Sequence, residues 1–278
     1  MKPLILVSND DGINATGLKS LVEALLPVGN IFVVAPDGGR SGQSCAITAM
    51  LPIRAKLMKE SERLTIYKCT GTPVDCVKLA LGNLVPRKPD LIVSGINHGS
   101  NSSISVHYSG TMAVAIEGAF NGVPSVGFSL CSHDPDADFT SAAEYARLIS
   151  EKILKEGLPE GICLNVNIPC DVPMNGIKIC RQAKAVWSEE FEKRTDPHGH
   201  EYYWLTGFLK NKEPETEDTD EYALSHGYIS IVPCKIDFTA VELFPQLKKW
   251  ENLLSFFCNN NIYSGNGNHN NNNVNIHK

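Results

Sequence analysis

Several familiar signals are missing from this chain. Its nine cysteines run from Cys45 to Cys258 without any C-x-x-C pair. An odd, unclustered set argues against a disulfide framework or structural zinc site and for reduced thiols in the cytoplasm. No apolar run approaches the roughly 20 residues of a membrane span, and the opening MKPLILVSNDDG holds only about five apolar residues before its carboxylates, too few for a signal-peptide core. An excess of positive charge is missing too. Lys and Arg number 25 against 31 Asp and Glu, a net charge of −6, so nucleic acid polymers and anionic membranes are poor partners. A small phosphate-bearing substrate remains open, provided a local positive centre offsets the field.

Catalytic motifs are absent as well. There is no G-x-x-x-x-G-K-[ST] loop, no G-x-G-x-x-G after the first apolar run and no G-x-S-x-G elbow, which argues against P-loop, dinucleotide and serine-hydrolase chemistry. The adjacent acids Asp10 and Asp11 are not part of a D-x-D pair, because Ser8, Asn9, Gly12 and Ile13 stand where the second acid would have to be. A phosphoaspartate mechanism of the haloacid-dehalogenase type is therefore rejected.

What is present is the alternation of an α/β fold. Apolar, β-branched runs at 4–8, 31–35, 64–69, 90–95, 125–130 and 162–168 predict strands covered on both faces. Leu18, Leu21, Val22, Leu25 and Leu26 keep helical spacing, with Thr16 as the expected N-cap. Thr72-Pro73 opens a second helix with Asp75 in its first turn, Met112–Phe120 forms another after Ser109, and a further one starts near Phe139. The expectation is a Rossmann-like, three-layer, doubly wound and mostly parallel sheet over residues 1–170. Residues 171–258 are expected to form a smaller C-terminal part. In it the aromatic stretch 176–212 makes extended hairpins, Tyr228–Val232 is a last strand and Leu243–Phe257 a last helix. Six acids within Glu213–Glu221 read as a solvated loop. The tail 259–278, with ten Asn, reads as disordered.

In such a sheet, ligands bind beyond the carboxyl ends of the strands. The first run is followed by Asn9-Asp10-Asp11-Gly12, the second by Gly38–Gly42, and the fourth by Asn97, Asn101 and Ser109-Gly110-Thr111. Read alone, Asp-Gly is a common turn with two solvated acids. Two carboxylates about 4 Å apart also repel by roughly 4 kcal/mol at an effective dielectric near 20, which a bound cation would offset. A hard cation such as Mg²⁺ or Mn²⁺ wants oxygen ligands. Asp10 and Asp11 supply the charge, and Ser41 and Asn97 can complete the set. Ser109 reads equally as an ordinary helix cap or as the start of an anion site at a helix N-terminus. Asn9 and Gly42, from the same loops, are candidates for the phosphate-contacting set. His98, His107 and Glu117 read as supporting groups.

The segments ILVSNDDGINATGLKSL, VVAPDGGRSGQS, GTPVDCVKLAL, DLIVSGINHGSN, YSGTMAVAIEG and HGYISIVPCKIDFT together resemble the survival protein SurE family, in that family's order over residues 4–257. The resemblance implies a metal-dependent nucleotidase that hydrolyses nucleoside 5′- and 3′-monophosphates. It implies one divalent cation per subunit on Asp10, Asp11, Ser41 and Asn97, with Asp10 or Asp11 as an alternative general base. It further implies phosphate contacts from Asn101 and Ser109–Thr111, and a hairpin arm over 186–212 that joins subunits into homodimers or homotetramers. Ser102-Ser103-Ile104-Ser105 departs from the acidic residues that often follow the family's S-G-I-N-x-G-x-N loop, which bears on substrate preference. The rival reading is a non-catalytic nucleotide sensor that binds with metal but releases no phosphate.

Overall fold

A computed structural model describes residues 2–252. It divides into two compact units at Ile236/Asp237. The first unit is built from β1 (Leu4–Ser8), α1 (Thr16–Leu25), β2 (Asn30–Pro36), β3 (Ala55–Glu60), β4 (Leu64–Cys69), α2 (Pro73–Leu79), β5 (Leu91–His98), α3 (Gly110–Phe120), β6 (Ser125–Leu130), α4 (Thr140–Glu156) and β7 (Ile162–Ile168). These are followed by β8 (Gly176–Ile179), β9 (Ala185–Ser188), β10 (Phe191–Thr195), β11 (Glu201–Leu205), β12 (Phe208–Asn211), α5 (Asp220–Ser225) and β13 (Tyr228–Lys235).

Nine strands form one sheet in the order β3-β4-β2-β1-β5-β6-β7-β13-β8, and all its neighbours are parallel except β3/β4 and β13/β7. Its central strands β1, β2, β5 and β6 are buried almost throughout because both faces are covered. Ile5, Val7, Ile31, Val33, Leu91 and Val93 pack with α1 and α4, while Leu4, Leu6, Phe32, Val34 and Ile92 pack on the other side with residues of α2 and α3. Alternate side chains of one strand thus enter different cores, as the pleat requires. This is the expected three-layer α/β architecture.

From β1 the chain builds outward through β2 and β4, then returns to place β5 on β1's other side, with Val7 opposite Val93 and Ser8 opposite Ser94. The reversal makes β1/β5 a topological switch point, where flanking loops diverge and leave a crevice.

Several local expectations need correction. Thr16 is the first residue of α1, and Ala15 holds the cap position without a side-chain bond. A turn closed by Ala15 N–H to the Gly12 carbonyl (3.0 Å) starts the helix one residue early. Strand β5 runs three residues beyond the expected end, so Asn97 sits on the strand and not in the loop after it. The β5/β6 register slips between Ser94 and Asn97, an irregularity that re-aims side chains at a strand end. The edge strand β3 carries no apolar pattern and escaped the sequence reading, because all six of its residues are exposed. Residues of β8, expected in a hairpin, join the main sheet parallel to β13. The true hairpin elements are β10/β11 and β9/β12, which pair antiparallel in the expected aromatic stretch.

The Thr72 cap is as expected. Its hydroxyl accepts from Asp75 N–H (3.1 Å) while Asp75 accepts from Thr72 N–H (2.8 Å), a reciprocal capping box. In the second unit the expected continuous helix over Leu243–Phe257 is instead α6 (Phe244–Leu247) between two 3₁₀ segments, Val241–Leu243 and Lys248–Asn252. Its remainder, like the Asn-rich tail, lies outside the described residues.

Gly17 allows α1 to lie against β5. A Cβ there would stand 2.1 Å from the Ile96 carbonyl oxygen. Gly→Ala normally favours a helix interior by up to about 1 kcal/mol. Here Gly17→Ala is expected to destabilise by about 1–3 kcal/mol, read as a lower urea midpoint at unchanged m-value.

Candidate active site

Strand β1 delivers Asn9, Asp10 and Asp11 into the switch-point crevice. Asn9 is fully buried, and its side chain closes the local turn by donating to the Gly12 carbonyl (3.0 Å) and accepting Gly12 N–H (3.2 Å). It shapes the turn and does not line the cavity. Asp10 is 3% exposed; its Oδ1 accepts from Thr111 Oγ1 at 2.6 Å, and its backbone carbonyl accepts Arg40 N–H at 2.7 Å. Burial, reinforced by the nearby Asp11 carboxylate, pushes the Asp10 pKa up to about 6 despite the Thr111 bond. Asp11 is half-buried and its Oδ2 accepts His98 N–H at 3.1 Å; burial raises its pKa too.

Helix α3 abuts Asp10 end-on. Gly110 is its first residue, and a Cβ there would fall 2.6 Å from Asp10 Cβ and 2.8 Å from Oδ2. Only glycine admits this approach. Of the two readings of Ser109, the cap is seen: its hydroxyl accepts Met112 N–H at 3.0 Å, and the residue also lines the cavity. Its own O–H stays available to donate.

A cavity of about 430 Å³ opens over this terminus, lined by Asp10, Ser41, Gly42, Asn97, Asn101 and Ser109 among others. Asp11, Gly110 and Thr111, each next in sequence to a lining residue or one position further, are not among the residues that line it. Asn97 donates Nδ2–H to the Gly99 carbonyl (2.8 Å), which leaves its side-chain oxygen for a ligand. Asn101 is held from three sides: its N–H donates to Asn167 Oδ1 (2.8 Å), its carbonyl accepts from Asn165 (2.8 Å), and its amide donates to Ser129 (2.9 Å). Glu117 pairs with Lys78 at 2.9 Å on the far part of α3, a structural partner as expected.

The sequence reading missed the cavity's outer wall. Trp187 of β9, with Glu190, Leu205 and Thr206 of the arm, faces the strand ends, beside Tyr108. Their place in the sequence, about 80 residues beyond Ser109, gave no sign of this; only the aromatic richness of the stretch hinted at a surface role.

The electrostatics of the cavity favour a cation. No lysine or arginine lines it, while the carboxylates of Asp10 and Glu190 do. Among the described residues no group of three or more His, Cys, Asp and Glu is placed to hold a metal. A cation held by Asp10 with the neighbouring Asp11, Ser41 and Asn97 would have two carboxylates with hydroxyl and amide oxygens, an all-oxygen set suited to hard divalent ions. The residues fit such an ion.

The sequence model of the family described as Survival protein SurE matches residues 5–189. This chain belongs to the SurE family. The 5′-nucleotidase SurE of Phocaeicola vulgatus is 55% identical over 249 residues, covering 90% of this chain and 97% of that relative. The 5′-nucleotidase SurE of Bacteroides fragilis is 50% identical, covering 90% and 98%. Among solved structures, the SurE protein of Aquifex aeolicus superposes with a TM-score of 0.77 at 36% identity, covering 90% of this chain and 100% of that one. The SurE match spans the strand-end loops that carry Asp10, Asp11, Ser41, Asn97 and Ser109.

The raised pKa of Asp10 sets the sign of a pH effect. Its carboxyl is more easily protonated folded (about 6) than unfolded (3.8), so metal-free stability declines as pH rises from about 4 through 6. Asp10→Asn is expected to flatten that decline and melt higher than wild type at pH 8 in chelator. Thermal melts across pH in EDTA test this.

Proposed function

We propose that this SurE-family chain is a metal-dependent phosphomonoesterase that hydrolyses nucleoside 5′- and 3′-monophosphates to nucleoside and phosphate. The observation that carries this reading is the switch-point cavity, where Asp10, Ser41 and Asn97 meet the N-terminus of α3 with no lysine or arginine to receive an anion. The relatives named 5′-nucleotidase SurE support the nucleotide as substrate.

Asp10, Asp11, Ser41 and Asn97 would hold one divalent cation, Mg²⁺ or Mn²⁺. Bound there, it supplies Lewis-acid polarisation of the phosphate and lowers the pKa of water. The protein's own groups do the rest. Thr111 keeps the Asp10 carboxylate oriented through its 2.6 Å bond. The Ser109 hydroxyl offers a donor to a phosphate oxygen at the N-terminus of α3, where the helix dipole favours negative charge. Asn101 and Gly42 border the same space. The indole of Trp187, the Tyr108 ring and Leu205 give flat apolar walls for a nucleoside.

The arm suits self-association. In β10/β11, Phe191, Tyr203, Trp204 and Leu205 are each more than half exposed, an apolar surface consistent with a homodimer or homotetramer. Eight described cysteines are all free thiols, in keeping with a cytoplasmic protein. No helix among the described residues is long and apolar enough to cross a membrane.

Purified protein with Mn²⁺ or Mg²⁺ is expected to release phosphate from AMP and GMP, and to stop in EDTA. Asp10→Asn and Asp11→Asn should each lower kcat/KM at least about a hundredfold at unchanged circular dichroism. Nucleotide binding without phosphate release would establish a sensor instead, and full activity in both variants would refute the ligand set.

A further inference from the structure

The acidic stretch Glu213–Glu221 is not simply solvated, as its composition suggests. Glu213 pairs with Arg181 at 2.6 Å, and Asp220 is 1% exposed. The Asp220 carboxylate is satisfied by backbone donors: Oδ2 accepts Ser103 N–H at 2.7 Å, and Oδ1 accepts Ala183 N–H and Glu221 N–H, both at 2.9 Å. A buried carboxylate with this many N–H partners is held in one place, because losing it strands each donor away from water.

Each of its two distant partners stands close in sequence to a residue that lines the cavity. Ser103 follows Asn101 by two residues and has φ of +52°, a left-handed conformation that serine seldom keeps unless its surroundings impose it. Ala183 stands two residues before β9, whose Trp187 forms the outer wall. The same junction is bonded again by Ser103 Oγ donating to the Ala183 carbonyl at 2.8 Å. Next in sequence, Glu221 accepts from Ser102 Oγ. That hydroxyl lies 2.7 Å from Ser100 Oγ, which reaches Asn167 Oδ1 at 3.3 Å, the acceptor of Asn101 N–H. All of these groups converge on the loop that carries Asn101, and neither Asp220 nor Ser103 lines the cavity.

We propose that Asp220 is a positioning residue of the reaction: by gripping Ser103 and Ala183 it holds the Asn101 loop and the root of the arm in one geometry across the cavity. The assignment rests on the nucleotidase reading and on Asn101 facing the phosphate. It also makes the arm's attachment part of the active site, so that displacement of the arm would be felt at Asn101.

A double-mutant cycle tests this in the full chain with Mn²⁺ and AMP, with rates normalised to folded protein by circular dichroism. Asp220→Asn is expected to lower kcat about tenfold or more, and Asn101→Ala by a comparable factor. The double variant should fall within about twofold of Asn101→Ala alone, since Asp220 acts through that loop. Multiplying losses, or an unchanged kcat in Asp220→Asn, would overturn the assignment, because a purely structural role lowers the melting temperature without such non-additivity. Should Asp220→Asn not fold, Ser103→Ala removes only the second bond of the junction. A lowered kcat, again non-additive with Asn101→Ala, is then expected, and full kcat overturns the proposal. A wild-type chain that releases no phosphate overturns the nucleotidase reading together with this assignment.

Discussion

The site depends on one costly act, the burial of the Asp10 carboxylate against the first turn of α3. Desolvation works against the charge and raises its pKa to about 6. The compensating features are local: the Thr111 hydroxyl at 2.6 Å, the helix N-terminus behind it, and Gly110, whose missing side chain permits the approach. A carboxylate so placed is under-compensated by the protein alone. That imbalance is what a divalent cation would relieve, in a cavity that no lysine or arginine lines.

The sheet topology makes this arrangement possible. Because β1 lies between β2 and β5, the loops after all three strands gather over one point. Asp10 and Asp11 come from the first, Ser41 and Gly42 from the second, and Asn101 and Ser109 from the third, with Asn97 on the end of strand β5 itself. The hairpin arm closes the remaining side with Trp187, so a segment that adds nothing to the central sheet still shapes the cavity. Asp220 binds this added wall to the Asn101 loop through Ala183 and Ser103.

Legibility followed physical cause. Strands β1, β4, β6 and β7 match their expected bounds, because strands covered on both faces must be apolar throughout. The Thr72-Pro73 cap was equally plain, since its chemistry is local. The Asp pair gained meaning only from its position at the end of the first strand. By contrast, β3 is exposed along its whole length and carries no apolar signature. Asn97 was placed in a loop because nothing in the sequence marks the β5/β6 slip that keeps it on the strand. Asp220 was hidden among acids that resemble a solvated run, since two of its backbone partners are more than 30 residues away. Trp187 was likewise brought to the cavity by tertiary structure alone.

The central claim is that Asp10 and Asp11 are held together for a cation. An equilibrium titration of the chelator-stripped protein with Mn²⁺, followed by the loss of free-ion electron paramagnetic resonance signal, tests it without any substrate. The account predicts saturation at a single ion per chain, and loss of that binding in Asp10→Asn and in Asp11→Asn. Undiminished Mn²⁺ binding in both variants would contradict it.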